Sequence, residues 1–361
     1  ISNNYVKVMS NRLKSAPIIC RRSDRGCVRL IHHASLDYEQ AIVNEILSGA
    51  PGGTVCVLTA TNDDALLIFA LLNKSGRIAR LIRSNDGFYL RDLAEFRFFL
   101  DTIRGYDAAC LDNDTWTKSA EVVVEHFRGS ECLEMFGNCL EAFNEECPGR
   151  KYISDFENFL LESRLEDFSK SRSSEIIVST IHKSKGCEYD NVYISLKGLG
   201  DITDKERRMI YVGMTRAKNN LSVHYSNVNL FLDKSLQGLI IEDNTVYGAP
   251  VEVLMQLSHR DVVLDIFKGC QDSLPGLLSG TGLFVSGDYL YAETGGRRVK
   301  VLRFSSAFRT QLSRMVSRGY LPVKAKVRFQ VFWSYEEPTG ETGSPTRSEI
   351  MIVLPDLLLA L

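Results

Sequence analysis

What most constrains this chain is an alternation. Six short apolar, β-branched runs, "CVRLIH", "TVCVLT", "ARLIR", "EIIVST", "NVYISL" and "NLSVHY", are separated by helical stretches such as "SLDYEQAIVNEIL", "NDDALLIFALLNKSG" and "KERRMIYVGMTRAK". Strands that are apolar throughout and joined by helices must be parallel and covered on both faces. One of these helices carries its own punctuation: Asn62 or Asp63 as N-cap, Asp64 in the first turn and Gly76 as the stop. The alternation predicts an α/β domain over residues 1–246.

Two regions depart from it. Residues 101–170 are acidic and helical, with "VVVEHF", "ECLEMFGNCLEAFNEEC" and "DFENFLLESRLEDF" placing apolar residues at three- and four-residue spacing, for example Phe156, Phe159 and Leu160. They read as a helical insertion, about 104–172, within the α/β domain. After residue 247 the period changes to two in "GLFVSG", "DYLYAET", "RRVKVLRF", "VKAKVRFQVFW" and "SEIMIVLP", with the single helix "SSAFRTQLSRMVSRG" among them. Period two predicts a separate, small β-rich domain over 247–361, a barrel or half-barrel.

The net charge of −2 hides segregation: residues 1–34 hold Lys7, Arg12, Lys14, Arg21, Arg22, Arg25 and Arg29 against Asp24 alone. The nine cysteines are odd in number and none has C-x-x-C spacing, so they read as reduced thiols of a cytoplasmic protein. No apolar run reaches the roughly 18 residues of a membrane span, and no membrane partner is expected. The N-terminus, "ISNNYVKVMSNRLK", lacks the apolar core of a signal peptide and reads as the middle of a helix, as in a piece of something longer.

The chemistry concentrates in two places. "STIHKSKGCEYDNVYI", Ser179 to Ile194, puts Thr180, His182, Lys183, Lys185, Gly186 and Glu188 between two strands. Hydroxyl, imidazole and ammonium groups suit phosphates, and a glycine admits close approach of the backbone. Its position after "EIIVS" is at the carboxyl end of a strand, where open α/β sheets collect ligands. "ERRMIYVGMTRAK" carries Ile210, Gly213, Met214 and Ala217 at the spacing of one helix face, with Arg216 beside it and Arg208, Tyr211 and Thr215 on another stripe. Arg216 could complement the helix C-terminus, or present a planar fork to a phosphoryl group.

Together, "VSTIHKSKGCEYDNVYI" and "RRMIYVGMTRAKNNLSV" resemble the last two helicase motifs of UvrD/Rep-like superfamily 1 DNA helicases. "VCVLTATNDDALLIFALL" and "NDGFYLRDLAEFRFFLDTI" resemble the preceding motif region of the second RecA-like domain. The likeness covers about residues 1–235, and the arrangement is also similar to the UvrD-type C-terminal region of large bacterial RecQ-like fusion proteins. The resemblance implies a RecA-like, P-loop-NTPase-type sheet that forms the C-terminal motor half of an ATP-dependent helicase. It makes Arg216 the arginine finger and sets Gly186 and Glu188 at the border of ATP. Arg208 and Tyr211 would link the finger helix to the DNA side, and Thr180, His182 and Lys185 would meet single-stranded DNA. Partners implied are single-stranded DNA and the N-terminal RecA-like domain of the same parent, which would hold ATP and its Mg2+.

Three departures accompany the likeness. Ala60 stands where the family has a phosphate-contacting arginine after its "VLT" strand. The large helical insertion of the family is reduced to the acidic helices. Neither a G-x-x-x-x-G-K-[ST] loop nor a "DExx" carboxylate pair occurs, so this chain alone is expected not to hydrolyse ATP. The alternative is a degenerate, non-hydrolysing RecA-like domain that binds DNA or protein.

Between Thr294 and Arg328 stand ten basic residues and no acidic one, among them Arg297, Arg298 and Lys300. Phe304, Phe308, Tyr320 and Phe329 are interleaved, and basic strands with aromatic platforms suit single-stranded nucleic acid. Alternation in "VKAKVRFQVFW" equally allows those rings to face the core.

Overall fold

The computed structural model describes residues 26–82, 87–168, 175–184, 186–197, 203–227, 230–231, 239–337 and 346–361. The basic residues from Lys7 to Arg25, and Lys185, lie outside them. The chain forms two compact units, 1–84 with 172–253 and 85–171 with 254–361.

The first unit opens with β1 (Cys27–His33), α1 (Glu39–Gly49), β2 (Val55–Thr59), α2 (Asn62–Lys74) and β3 (Ala79–Leu81). The N-cap of α2 is Thr61, one residue before the expected pair: its hydroxyl accepts from the Asp64 N–H. Gly76 follows this helix at φ +75°, a conformation that favours glycine. The chain then enters the second unit through α3 (Ala94–Arg104), α4 (Asn113–His126), α5 (Leu133–Glu146) and α6 (Ile153–Glu162). It returns with β4 (Ile176–Thr180), β5 (Tyr189–Leu196), α7 (Asp204–Met214), β6 (Ala217–Tyr225) and β7 (Ile240–Asp243). The sheet order is β3-β4-β2-β5-β6-β1-β7, and every pairing given by register is parallel. The α/β reading holds, with β7 as an added edge strand. One apolar layer gathers Leu58, Ile194, Val223, Ile210 and Met214; the other gathers Val57, Val178, Ile42, Ile68 and Leu72. Burial of β2 along its whole length is what a central parallel strand requires.

The second unit joins those acidic helices to β8 (Glu252–Gln256), β9 (Gly282–Ser286), β10 (Tyr289–Thr294), β11 (Arg297–Arg303), α8 (Ser306–Ser317), β12 (Leu321–Glu337) and β13 (Thr346–Ala360). The strand order is β8-β13-β12-β9-β10-β11, an open sheet running from an edge at β8 to an edge at β11. The pairs β9–β10, β10–β11, β9–β12 and β12–β13 are antiparallel, as period two demands.

The acidic helices therefore share a unit with the C-terminal sheet, where the sequence suggested an insertion in one domain and a separate β domain. The apolar sides of the helices explain the grouping. Phe96, Phe99, Trp116, Phe136, Phe143 and Phe156 pack edge to face or tilted at centroid distances from 4.8 to 5.6 Å. Leu93, just before α3, bridges to Val331 of β12, and the Arg97 guanidinium lies 5.6 Å from the Phe332 ring centroid. Acidic side chains then find cations on the strand: Lys326 Nζ is 2.6 Å from Glu131 Oε2.

Candidate functional site

The loop "STIHKSKGCEY" runs from one end of the parallel sheet to the other. Thr180 ends β4 level with Ser195 near the end of β5, because both pair with Thr59. Tyr189 begins β5 beside Ala217, the first residue of β6. A 3-10 turn at Ile181–Ser184 starts the descent, and Ile181 is buried against the sheet and α7. A Cβ on Gly213 would lie 3.2 Å from Ile194 and 3.4 Å from Ile181. The glycine thus permits close contact of α7 with both loop and sheet.

The expectation that the whole loop gathers at the carboxyl ends of the strands is corrected here. Only its first residues do. Thr180 is buried and His182 is exposed at that end. Gly186, Cys187 and Glu188 are exposed at the amino end, Gly186 at φ +87° with open space where a Cβ would stand.

Arg216 sits at that amino end too. It is not on the helix: α7 stops at Met214, and Ala217 already belongs to β6, so Ala217 leaves the helix face on which Ile210, Gly213 and Met214 are buried. From the turn, Arg216 Nε donates to Val212 O at 3.0 Å, Nη1 to Cys187 O at 3.0 Å and Nη2 to Thr215 Oγ1 at 3.2 Å. One of these bonds satisfies a terminal carbonyl of the helix. Another ties helix to loop, and Tyr189 N donates to Arg216 O at 2.9 Å. Those three side-chain bonds use three of the five guanidinium N–H groups. Arg208 is exposed on α7, and Tyr211 is half-buried against the core. Burial, with Cys56 and Cys187 beside it, pushes the Tyr189 hydroxyl up.

Next to this corner lies a polar lattice that the sequence did not announce. Thr54 N and Oγ1 donate to Asp190 Oδ2 at 2.9 and 2.8 Å, Asn219 Nδ2 donates to Asp190 Oδ1 at 3.2 Å, and Asn220 Nδ2 to Asn191 Oδ1 at 2.7 Å. It clamps the starts of β2, β5 and β6. Ala60, by contrast, follows β2 at its carboxyl end. An arginine there would be separated from Arg216 by the strand's length, roughly 17 Å for five residues.

Residues 115–228 match the model of the UvrD-like helicase C-terminal domain. Over those residues the chain is similar to a UvrD/Rep-like helicase C-terminal domain. The ATP-dependent DNA helicase Rep of Buchnera aphidicola subsp. Schizaphis graminum is 27% identical over 113 residues, which is 28% of this chain and 16% of that protein's length. Among solved structures, the C-terminal domain of a possible DNA helicase from Lactobacillus plantarum WCFS1 aligns with 62% of this chain and 87% of its own, at 12% identity and a TM-score of 0.31. VirB4 of Thermoanaerobacter pseudethanolicus aligns with 79% of this chain and 90% of its own, at 12% identity and a TM-score of 0.23.

A second polar cluster closes the carboxyl end of the parallel sheet. His33 Nε2 and His224 Nδ1 are 2.9 Å apart, His224 Nε2 is 2.9 Å from Glu45 Oε2, and His33 Nδ1 is 3.2 Å from Asp243 Oδ2. Both histidines are buried, and Tyr38 stacks on His33 at 4.4 Å. Burial, with His224 adding to it, lowers His33 to about 4 despite Asp243. Burial alone would raise Glu45; the hydrogen bond and charge of His224, with Arg29, outweigh it and hold the carboxyl low. Two histidines inside the apolar strands "LIHH" and "VHY" were the available signal.

In the second unit, Arg297, Arg298 and Lys300 are all exposed on β11. The aromatic residues singled out beside them are mostly core: Phe304, Phe308 and Tyr320 are buried. Rings that do face outward, Phe284, Tyr289 and Tyr291, come from β9 and β10. Among the described residues, no helix is long and apolar enough to cross a membrane.

Proposed function

We propose that this chain is the C-terminal motor half of an ATP-dependent DNA helicase. The observation that carries the reading is the bond from Arg216 Nη1 to Cys187 O, which makes the finger candidate and the exit of the loop one corner. At that corner a phosphate-sized anion would meet the two guanidinium N–H groups left by the three bonds and the open backbone at Gly186, with the exposed Glu188 at the margin. ATP supplies a phosphoanhydride whose cleavage drives movement; the residues that grip it and its Mg2+ belong to an N-terminal RecA-like half, since this sequence has no P-loop lysine. Arg216 neutralises charge on the terminal phosphate, and Gly186 and Glu188 border the nucleotide. Thr180 and His182, at the far end of the same loop, meet the backbone of single-stranded DNA, a contact that the resemblance also assigns to Lys185. Arg208 and Tyr211 carry changes along α7 between the two ends.

The chain spans 16% of the length of the curated Rep helicase that it matches, so turnover is assigned to the two halves together. In a protein containing both, Arg216→Ala should lower DNA-stimulated ATP hydrolysis by about 10³. Unchanged turnover would remove Arg216 from the chemistry. It would favour the second reading, a non-hydrolysing binding module, which the engagement of Arg216 by three protein acceptors supports.

A further inference from the structure

The exposed side of β9, β10 and β11 is not an ordinary solvated sheet face. Two-residue turns join its strands, Gly287–Asp288 and then Gly295–Gly296, with Gly287, Gly295 and Gly296 at positive φ. Alternation sends Leu283, Leu290 and Ala292 inward and Phe284, Tyr289 and Tyr291 outward. On β11 simple alternation would split the cations, because Arg303 and Lys300 differ by an odd number. A bulge resolves this. Leu290 pairs with Leu302 but Tyr291 pairs with Lys300, so Val301 is an extra residue and both Val301 and Leu302 are buried. Arg298, Lys300 and Arg303 thereby share the outer face with the three rings.

The contacts confirm the shared face. The Arg298 guanidinium lies 4.4 Å from the Phe284 ring centroid, Lys300 Nζ 4.1 Å and the Arg303 guanidinium 5.7 Å from that of Tyr289. Phe284 is paired across strands with Tyr291 and is 40% exposed. Glu293, opposite Arg298, is the one carboxylate on this face among the described strand residues. Asp288 in the first turn is paired with Arg309. Arg297, opposite Thr294 at the hairpin end, has the other parity.

We infer that this face is a binding platform for single-stranded DNA. Cations within reach of a polyanion supply sequence-independent attraction, and rings set among them offer stacking surfaces. A duplex keeps the π-faces of its bases covered by their neighbours, so a sheet face bearing aromatic side chains can use them only when the strand is single. The inference stands on the second unit and does not rest on the Arg216 corner.

The test is fluorescence anisotropy of the full chain with a labelled oligothymidylate of about 20 nucleotides, long enough for a site of this type. Phe284→Ala and Tyr289→Ala should each weaken binding by about 5- to 100-fold. Lys300→Ala should lower the slope of log affinity against log salt by about 0.7, and Arg297→Ala should cost less than Lys300→Ala. Tyr289→Phe should retain binding, and unchanged melting temperatures will identify folded variants. The same series in a His182→Ala background separates this platform from the loop of the first unit. Ring removals without effect in both backgrounds would overturn the inference, as would tighter binding of a duplex or an RNA of equal length.

Discussion

The Arg216 corner and the cationic sheet face hold their cations in opposite ways. At the corner one guanidinium is fixed by two backbone carbonyls and a hydroxyl, at 3.0 to 3.2 Å. On the face three cations rest on aromatic rings at 4.1 to 5.7 Å, held only by side chains. Backbone anchoring fixes a single group closely enough for chemistry that develops charge at one point. Side-chain contacts leave groups adaptable, which suits a partner recognised by charge and stacking along its length. The contrast teaches where single substitutions should matter and where they should be shared out.

The sharpest way to break the comparison is Arg216→Lys in a protein containing both halves. Lysine keeps the charge but cannot reproduce the fork that bonds Val212 and Cys187 at once. Steady-state ATP hydrolysis should fall nearly as far as with Arg216→Ala, by about 10²–10³; near-normal turnover would mean that charge alone suffices and the backbone anchoring is incidental.

Next in size is the buried pair at the other end of the sheet. His33, lowered from 6.5 to about 4, binds fewer protons folded than unfolded. Its contribution is therefore complete above pH 6.5 and lost as pH falls toward 4, by roughly 3 kcal/mol in all. Glu39 and Glu95, raised by burial, act with the opposite sign as pH rises above the usual carboxylate range. The difference between wild type and His33→Gln in chemical denaturation across pH 4 to 6.5 isolates the histidine. Parallel pH profiles for the two proteins would show that His33 is not the group responsible.

Smaller effects are expected on the platform. Double replacement of Tyr289 and Lys300 by Ala should cost less than the sum of the single losses, since one sits on the other; an isothermal titration cycle measures the coupling, about 0.5–1 kcal/mol at an exposed site. Full additivity would mean the two bind DNA independently. The smallest is Arg97→Ala. Its ion pair with Glu349 is 3.1 Å long but both side chains are about one-third exposed, so unfolding free energy should change by about 1 kcal/mol or less.

Much of the first unit was legible from residues 27–225, because a parallel strand buried on both faces leaves an unbroken apolar run and its crossover helix leaves a 3.6-residue period. Arg216 was legible as a residue but not as a place. The spacing Ile210, Gly213, Met214, Ala217 extends the helix in sequence, whereas the chain turns into β6 after Thr215. The lattice of Thr54, Asp190 and Asn219 was hidden because its members are far apart in sequence and ordinary singly. On the sheet face, counting cations found Arg298 and Lys300 but attached them to the wrong rings: Phe304 and Phe308 are at the start of a helix and face inward. Composition reports which residues are near in sequence, and cross-strand pairing decides which are near in space.

That pairing has one further consequence. The extra residue at Val301 sets the phase of everything before it on β11: removing it would leave strict alternation with Arg298, Lys300 and Arg303 still outward, whereas inserting one more residue beside it would rotate Arg298 and Lys300 beneath the sheet and lift Val299 into water. One added codon, touching no charge and no ring, would take two cations off the surface while leaving the residue inventory almost intact.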